Sequence, residues 1–289
     1  MDRSQFKARI LSRAPLLLPG IAHPLAAIVA ADIGFEALYV TGAGLANIQL
    51  GVPDLGILNL SDMADAVARI AGVVDLPLVV DADTGYGNSL NCYHAVRRLE
   101  TAGAAVIQIE DQIFPKRCGH FDGKEVVSSR EMVSKIKAAV DARRHDTTLI
   151  MARTDARATE GIEAAIERAA AYREAGADIL FVEALIDEQE MRAVPERIDA
   201  PHLINIVVGG KTPELSLSDL GEMGYTLALY ANAPLQAAVA GMQKVLGALK
   251  QTGSLSSVRS DLVDFAERQR LLRTAEMDAL RARFEGEPA

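Results

Sequence analysis

A cysteine among cationic side chains stands near the middle of the sequence, in Pro115-Lys116-Arg117-Cys118-Gly119-His120. Positive neighbours stabilise a thiolate and lower the pKa of a thiol, so Cys118 is a candidate reactive group, with His120 beside it. Glu110-Asp111, just upstream, offers carboxylates that could hold a hard cation. A reactive acid or base beside such a cluster suggests an enzyme that handles a carbanion or enolate. A small buried cysteine within a solvated turn is the alternative interpretation.

Two further carboxylates, Asp81 and Asp83, lie two residues apart, so both would point to one side of an extended strand. Like charges this close need a cation beside them. Mg²⁺ is the predicted cation, with Mn²⁺ as an alternative, because it prefers oxygen ligands and needs only one or two protein carboxylates. Asp54 is either a turn residue or a further acid that anchors water.

Polar residues follow nearly every aliphatic run at its carboxyl end, which in a βα barrel is the active-site face. Arg153 offers a bidentate fork for a substrate carboxylate. The Thr41-Gly42-Ala43-Gly44 loop offers backbone N–H groups and a hydroxyl as a second carboxylate cradle. A single acid at this edge could cap a helix, but several acids with an arginine and an asparagine predict an active site. The other residues at these strand ends are Asp81, Glu110, Glu183, Asn205 and Asn232.

Four segments share one sequence pattern, in which a helical stretch is followed by a glycine and then directly by an aliphatic strand. Each glycine stands where a helix end uses a positive φ angle. These glycines are Gly34, Gly103, Gly176 and Gly224. The other strand-like runs are residues 16–18, 76–80, 148–151 and 203–207. About eight strands alternating with helices predict a closed (β/α)8 barrel of the TIM type, in the α/β class.

The pattern changes after the last predicted barrel helix, at a polar break that begins near Gly253. We predict a catalytic barrel domain over residues 1–250 and a helical extension over residues 251–289. The extension carries a partial apolar stripe, which predicts packing on the barrel or on a neighbouring subunit. The stripe consists of Leu262, Phe265, Leu271, Leu272, Met277 and Leu280. Helices between the strands are predicted at residues 89–100, 129–143, 161–174 and 233–250.

The composition excludes several classes of partner. The chain has 289 residues, a formal net charge of −9 and no basic stripe, so a nucleic-acid partner is not expected. No apolar run approaches the roughly 20 residues that span a bilayer, and the first residues do not form a signal peptide. Two cysteines provide no disulfide framework. These features predict a cytoplasmic protein with no membrane partner.

Several motifs in order resemble those of the isocitrate lyase/phosphoenolpyruvate mutase superfamily, over residues 10–250. The resemblance rests on Asp-Ala-Asp-Thr-Gly-Tyr-Gly at 81–87, Glu-Asp-Gln at 110–112 and Lys-Arg-Cys-Gly-His at 116–120. Supporting segments lie at 53–56, 152–156 and 209–213. The most similar branches are the 2-methylisocitrate lyases, the 2,3-dimethylmalate lyases and carboxyphosphonoenolpyruvate phosphonomutase. The resemblance implies a Mg²⁺-bound 2-oxo or 2-hydroxy acid, and a homotetramer whose C-terminal helices swap between subunits.

The resemblance also implies roles for individual residues. Asp83 matches the direct Mg²⁺ ligand, and Cys118 matches the residue that protonates the carbanion left by carbon–carbon cleavage. Tyr39 and Tyr86 are candidates for orienting or deprotonating the substrate hydroxyl, and His120 joins this catalytic group. Acids that hold the metal's waters are Asp54, Asp81 and Glu110. Positions that match substrate contacts are Thr41, Gly42, Ala43, Gly119, Arg153, Glu183 and Asn205.

The motifs predict a Mg²⁺-dependent carbon–carbon lyase that acts on a malate-like 2-hydroxy dicarboxylate or tricarboxylate. Phosphonomutase, oxaloacetate decarboxylase or hydrolase chemistry of the same superfamily is the alternative, and a catalytically silent barrel for ligand sensing or assembly is a third. Two departures concern the substrate end of the barrel: Val208 replaces an acid common in relatives, and Tyr230-Ala231-Asn232-Ala233 replaces Tyr-Pro-Leu-Ser.

Overall fold

Eight parallel strands close into a barrel in the computed structural model of the chain, which describes residues 1–117, 119 and 123–286. Each strand pairs with the next along the chain, and β8 returns to pair with β1, where Leu16 lies opposite Leu227. The strands are Leu16–Ile21 (β1), Leu38–Val40 (β2), Leu78–Asp81 (β3), Ala104–Glu110 (β4), Leu149–Thr154 (β5), Ile179–Val182 (β6), His202–Asn205 (β7) and Leu227–Tyr230 (β8). The predicted (β/α)8 architecture is confirmed.

Helices connect successive strands and surround the barrel. They are Arg3–Leu11 (α1), Pro24–Ile33 (α2), Gly42–Leu45 (α3), Leu60–Ala71 (α4), Ser89–Ala102 (α5), Ser129–Ala142 (α6), Ala156–Glu160 (α7), Ile162–Glu174 (α8), Glu188–Arg197 (α9), Leu217–Glu222 (α10), Ala233–Thr252 (α11), Phe265–Leu271 (α12) and Thr274–Glu285 (α13). A π-helical turn, Ala46–Leu50, follows α3, and a 3₁₀ segment, Ser256–Asp261, precedes α12. The four predicted barrel helices correspond to α5, α6, α8 and α11, with ends within two residues of the prediction.

The four glycines that precede strands in the repeated segments have the positive φ angles that the sequence predicts. Gly34, Gly103, Gly176 and Gly224 have φ angles of 100°, 122°, 107° and 99°. A residue with a Cβ is strained at such angles, which explains why glycine recurs where each helix turns into its strand.

Strand alternation divides the apolar side chains into two layers. Along β3, Val79 lies inside the barrel, whereas Leu78 and Val80 pack under the surrounding helices. The inner layer also contains Phe6 and Ile10 of α1, which close the amino-terminal end of the barrel. The interior is therefore a packed core, and an open cavity is expected only at the carboxyl ends of the strands.

The C-terminal part differs from the prediction in one respect. The sequence predicts one charged helical tail over residues 262–284, but the structure divides it into α12 and α13. Arg273 separates them with a left-handed φ of 54°. None of the residues of α11, all of which are described, is buried. In the described part of the chain, no helix is both long and apolar enough to cross a membrane.

A glycine in β1 offers a test of the barrel closure. A Cβ on Gly20 would overlap the backbone carbonyl of Ala231 and lie 2.6 Å from its Cα atom. Gly20→Ala should therefore lower the free energy of unfolding by about 1–3 kcal/mol or more, as overpacking does. Urea denaturation followed by circular dichroism measures the change. Gly72→Ala is the matched control, because its Cβ would meet no atom closer than 3.4 Å. Equal stability of both variants would contradict this close packing.

Candidate active site

The last inward-facing position of most strands is polar, and these residues meet in one cavity at the carboxyl end of the barrel. Asp81 lies two residues beyond the interior Val79, Arg153 two beyond Met151, and Glu183 two beyond Phe181. Because side chains alternate along a strand, this spacing places all three toward the barrel axis. The same step gives Thr41, Gln108 and Asn205. The cavity is lined by Tyr39, Thr41, Ala43, Asp54, Asp81, Lys116, Gly119, Arg153, Glu183, Asn205 and Asn232, among others.

Lys116 lies between the acids on one side of this cavity. Its Nζ atom is 2.7 Å from Asp54 Oδ1 and 2.8 Å from Asp83 Oδ1. Only 4% of the lysine side chain is exposed, so the interpretation of this part of the motif as a solvated turn is wrong for Lys116. Asp54 therefore contributes its carboxylate to the acid cluster.

The two acids of the Asp-Ala-Asp motif come together by a turn. The strand ends at Asp81, and Asp83 has a left-handed φ of 47°, so the prediction from extended-strand alternation is wrong. The Asp83 N–H donates a hydrogen bond to Asp81 Oδ1 at 3.1 Å, which fixes the turn. Both carboxylates nevertheless lie close to Gly42, since a Cβ there would be 3.1 Å from Asp81 Oδ2 and 3.2 Å from Asp83 Oδ1.

The acid cluster is short of positive charge. Burial raises the pKa of Asp83 to about 6, although the Lys116 ammonium opposes the shift. Burial likewise raises the pKa of Glu110 well above its usual range, against the attraction of Arg153 and Lys116. Among the described residues, the Glu110 Oε1 atom is buried and accepts no hydrogen bond.

These residues fit the predicted Mg²⁺. Carboxylate oxygens are the donors that Mg²⁺ prefers, and a divalent cation would supply the missing positive charge. Within the described residues, no three acids or imidazoles are arranged closely enough to hold one ion directly. That arrangement agrees with a site in which one carboxylate binds the ion and the others bind its waters, since Mg²⁺ keeps several waters.

Arg153 is held by three carboxylates, one of which, Glu110, also belongs to the acid cluster. Its Nε and Nη2 atoms donate to Asp155 at 2.9 and 3.0 Å. Nε is also 3.3 Å from Glu110, and Nη1 is 3.5 Å from Glu183. The guanidinium stacks over the Phe181 ring at 5.1 Å. Arg153 is thus fixed by Asp155 while its remaining edge lies along the cavity.

Two tyrosines lie beside the acids: Tyr39 is buried, and Tyr86 is partly buried. The Tyr39 hydroxyl donates to Gln108 Oε1 at 2.8 Å, and the Gln108 amide donates to Asp81 at 3.1 Å. Tyr86 has a left-handed φ of 60°, and its buried hydroxyl has no hydrogen-bond partner within the described part of the chain. Burial raises the pKa of both phenols well above the usual range, so both remain protonated as donors.

The Thr41-Gly42-Ala43-Gly44 segment forms the start of α3, where the sequence analysis predicts a loop. Thr41 Oγ1 caps the helix by accepting from the Gly44 N–H at 3.3 Å. The Gly42 N–H donates to Asp81 Oδ2 at 3.3 Å. Two of the groups proposed for a carboxylate cradle are therefore used within the protein, and Ala43 lines the cavity beside them.

The departures from the family pattern lie at two different places. Asn205 and Asn232 line the cavity, and the side-chain oxygen of each is buried without a partner among the described residues. Val208 is 62% exposed and is not among the residues that line the cavity. Ala231 also lines the cavity, so the changes at Ala231 and Asn232 are the ones placed to contact a ligand.

The segment that carries the cysteine motif begins and ends at a short antiparallel bridge between Gln112 and Val126. Gln112 also exchanges two hydrogen bonds of 2.9 Å with the backbone of Arg117. Cys118 and His120 lie outside the described residues. The other thiol, Cys92, is buried with its pKa raised by burial to about 12, in agreement with its interpretation as a packing residue.

Sequence reasoning missed four residues of the site: Lys116 as a partner of the acids, Gln108, Asp155 and Lys124. Gln108 could have been found, because it continues the inward-facing alternation of β4. Asp155 is part of a motif that was recognised, but its pairing with Arg153 depends on a turn. Lys124 has no local signal, because it reaches Asp155 from a different loop.

Comparison with known proteins agrees with this architecture. The phosphoenolpyruvate phosphomutase family model matches residues 6–250. The chain is 45% identical over 255 residues to the 2,3-dimethylmalate lyase of Eubacterium barkeri, covering 87% of each chain. It is 44% identical over 247 residues to the 2-methylisocitrate lyase of Aeropyrum pernix, covering 86% of this chain and 79% of that protein.

Solved structures extend the similarity to almost the whole chain. Oxaloacetate acetylhydrolase in complex with 3,3-difluorooxalacetate superposes with a TM-score of 0.90 at 32% identity, covering 98% of this chain and 96% of that one. Phosphonopyruvate hydrolase in complex with oxalate and Mg²⁺ gives 0.87 at 30% identity, covering 98% and 99%. The chain therefore belongs to the phosphoenolpyruvate phosphomutase family of enzymes, within the superfamily that its motifs resemble.

Proposed function

We propose that this protein is a Mg²⁺-dependent carbon–carbon lyase. Its substrate is a malate-like 2-hydroxy dicarboxylate or tricarboxylate of the dimethylmalate or methylisocitrate type. The products are a 2-oxo acid and a second carboxylic acid. The observation that carries the proposal is an acid cluster and Arg153 within one cavity, in a chain 45% identical to a named lyase.

The two sides of the cavity suit the two parts of such a substrate. Arg153 would bind a carboxylate through the guanidinium edge that Asp155 does not occupy, as a planar fork does. Asp83 would hold the metal directly, with Asp54, Asp81 and Glu110 holding its waters. A bound Mg²⁺ would act as a Lewis acid on the hydroxyl and the adjacent carboxylate of the substrate.

Cleavage requires one proton to leave the substrate hydroxyl and another to reach the departing fragment. As the hydroxyl becomes a carbonyl, the bond between the second and third carbons breaks and its electron pair moves to the fragment. Cys118 would donate the proton that this fragment needs. Tyr39 and Tyr86, both protonated, suit orientation of the substrate oxygen better than proton abstraction. Gly119 and His120 accompany Cys118 in the same motif.

Oxaloacetate hydrolysis or decarboxylation and phosphonomutase chemistry remain the second candidate. The observation that favours them is Asn232, which lines the cavity at its substrate end and whose amide oxygen is buried without a partner in the described part of the chain. The similarity in fold to oxaloacetate acetylhydrolase points the same way. The cysteine motif favours the lyase without excluding the phosphonomutase branch.

Metal dependence can be tested at Asp83. Asp83→Ala should abolish both Mg²⁺ binding and the release of 2-oxo acid from 2,3-dimethylmalate and 2-methylisocitrate, because one cation would both hold and polarise the substrate. Calorimetric Mg²⁺ titration and a coupled 2-oxo acid assay measure the two effects. Asp65→Ala, on the exposed face of α4, is the control. Full activity in excess EDTA would rule out the metal.

The proton donor can be tested at Cys118. Cys118→Ala should slow carbon–carbon cleavage by about 10²–10⁴-fold, the range for a placed general acid, while oxalate binding changes little. Cys118→Ser should be nearly as slow, since a hydroxyl is a weaker acid than a thiol. Cys92→Ala is the matched control, because that thiol is buried in the core. If wild type only decarboxylates oxaloacetate, and Cys118→Ala retains that rate, the second candidate replaces the lyase.

A homotetramer, or at least a dimer, is the proposed assembly, with C-terminal helices exchanged between subunits. Apolar side chains of α11 are exposed in the single chain: Val239, Met242, Leu246 and Leu249. An apolar cavity of about 710 Å³ lies between α2, α11 and the strands β1 and β8. Apolar surface of this extent is typical of interaction sites, so a second copy of the chain is the proposed partner for it.

Assembly can be tested on the exposed face of α11. Leu246→Glu should shift the protein to smaller species in sedimentation velocity, because Leu246 is 61% exposed in the single chain and would be buried in the assembly. Lys250→Glu, at the polar end of the same helix, should leave the distribution unchanged. Deletion of residues 258–289 should also reduce the oligomer. A monomeric wild type would reject the proposed assembly.

A further inference from the structure

The Asp155 carboxylate is shared by two cations. Arg153 donates to both of its oxygens, and Lys124 Nζ donates to Oδ1 at 2.8 Å. The Asp155 side chain is fully buried. Its backbone N–H donates to Asp111 Oδ1 at 2.9 Å, and the other Asp111 oxygen accepts from Thr154 and Tyr172 at 2.7 Å each. Asp155 therefore has a fixed position from which it can orient its partners.

Lys124 connects this carboxylate to the segment that carries the cysteine motif. Its ammonium also donates to the backbone carbonyl of Gly119, and only 1% of its side chain is exposed. Gly119 lies directly on Arg153 and Glu183, since a Cβ there would overlap the Arg153 Nη2 atom and lie 2.7 Å from Glu183 Cγ. The Lys124 ammonium thus binds both Asp155, which holds Arg153, and the backbone of Gly119, which packs against Arg153.

Charge explains why a second cation matters here. Arg153 alone faces Asp155, Glu110 and Glu183, and one cation among three carboxylates attracts an anionic ligand poorly. Lys124 offsets the charge of Asp155, which leaves more of the positive field of Arg153 for the cavity. Removing a lysine from water is costly even when it is paired, so stability alone is a weak explanation for this placement.

We propose that Lys124 is a positioning residue: through its ion pair with Asp155 it orients Arg153 and offsets part of the negative charge around the Arg153 guanidinium. The inference rests on the proposed role of Arg153 as the substrate carboxylate clamp. Lys124 itself does not touch the substrate.

The test uses the full-length protein with Mg²⁺ and oxalate as the probe. Lys124→Met should weaken oxalate binding by about 5- to 150-fold, the usual range for coupling between two sites, and raise KM more than it lowers kcat. Lys124→Arg should restore part of the affinity. Tyr225→Phe loses a buried hydrogen bond of 2.9 Å to Met191, away from the cavity, and should bind oxalate normally. It therefore controls for a general loss of stability.

A double-mutant cycle separates this inference from the function it rests on. If Lys124 acts through Arg153, Lys124→Met should have little further effect on oxalate binding in an Arg153→Met background. An equal loss in both backgrounds would overturn the inference. If Arg153→Met alone leaves oxalate binding unchanged, the proposed clamp is wrong, whatever Lys124 does.

Discussion

Charge balance in a layer with little access to water governs the carboxyl end of this barrel. The interior positions are apolar up to this layer, and the next inward-facing positions carry polar or ionisable groups. Carboxylates are more numerous there than cations, and burial makes each unpaired charge costly. The raised pKa values of Asp83 and Glu110 express that cost directly. The rest of the site follows from how lysine, arginine and the proposed metal distribute positive charge among these acids.

The layer has two halves, which meet at Glu110. In one, Lys116 bridges Asp54 and Asp83 beside Asp81. In the other, Asp155 joins Arg153 to Lys124, and burial of that carboxyl is more than offset by the two cations, which hold its pKa below the usual range. The acid half is short of positive charge, whereas Arg153 in the other half is fixed by two hydrogen bonds to Asp155. This asymmetry suits a reaction in which a cation is held at one end of the substrate and a carboxylate at the other.

The same barrel supports several reactions among the proteins that this chain resembles, including lyases and hydrolases. Such diversity is expected when the chemistry depends on side chains at the strand ends, and the barrel only positions them. In this chain the acids, Arg153 and the cysteine motif belong to the common machinery that the motifs predict. Asn232 differs from the family pattern and lines the cavity, so substrate choice is the property on which this chain can depart from its relatives.

The sequence by itself determined the barrel, its glycine turns and most of the residues around the cavity. Strand alternation has a fixed period, so Thr41, Asp81, Arg153, Glu183 and Asn205 could be placed on one rim without coordinates. Only the tertiary structure decided which charges meet. Lys116 and Lys124 lie in an irregular loop without periodicity, and Asp83 depends on a left-handed turn that extended-strand reasoning does not foresee. Ion pairs between distant loops follow from the folded path of the chain and leave no local pattern in the sequence.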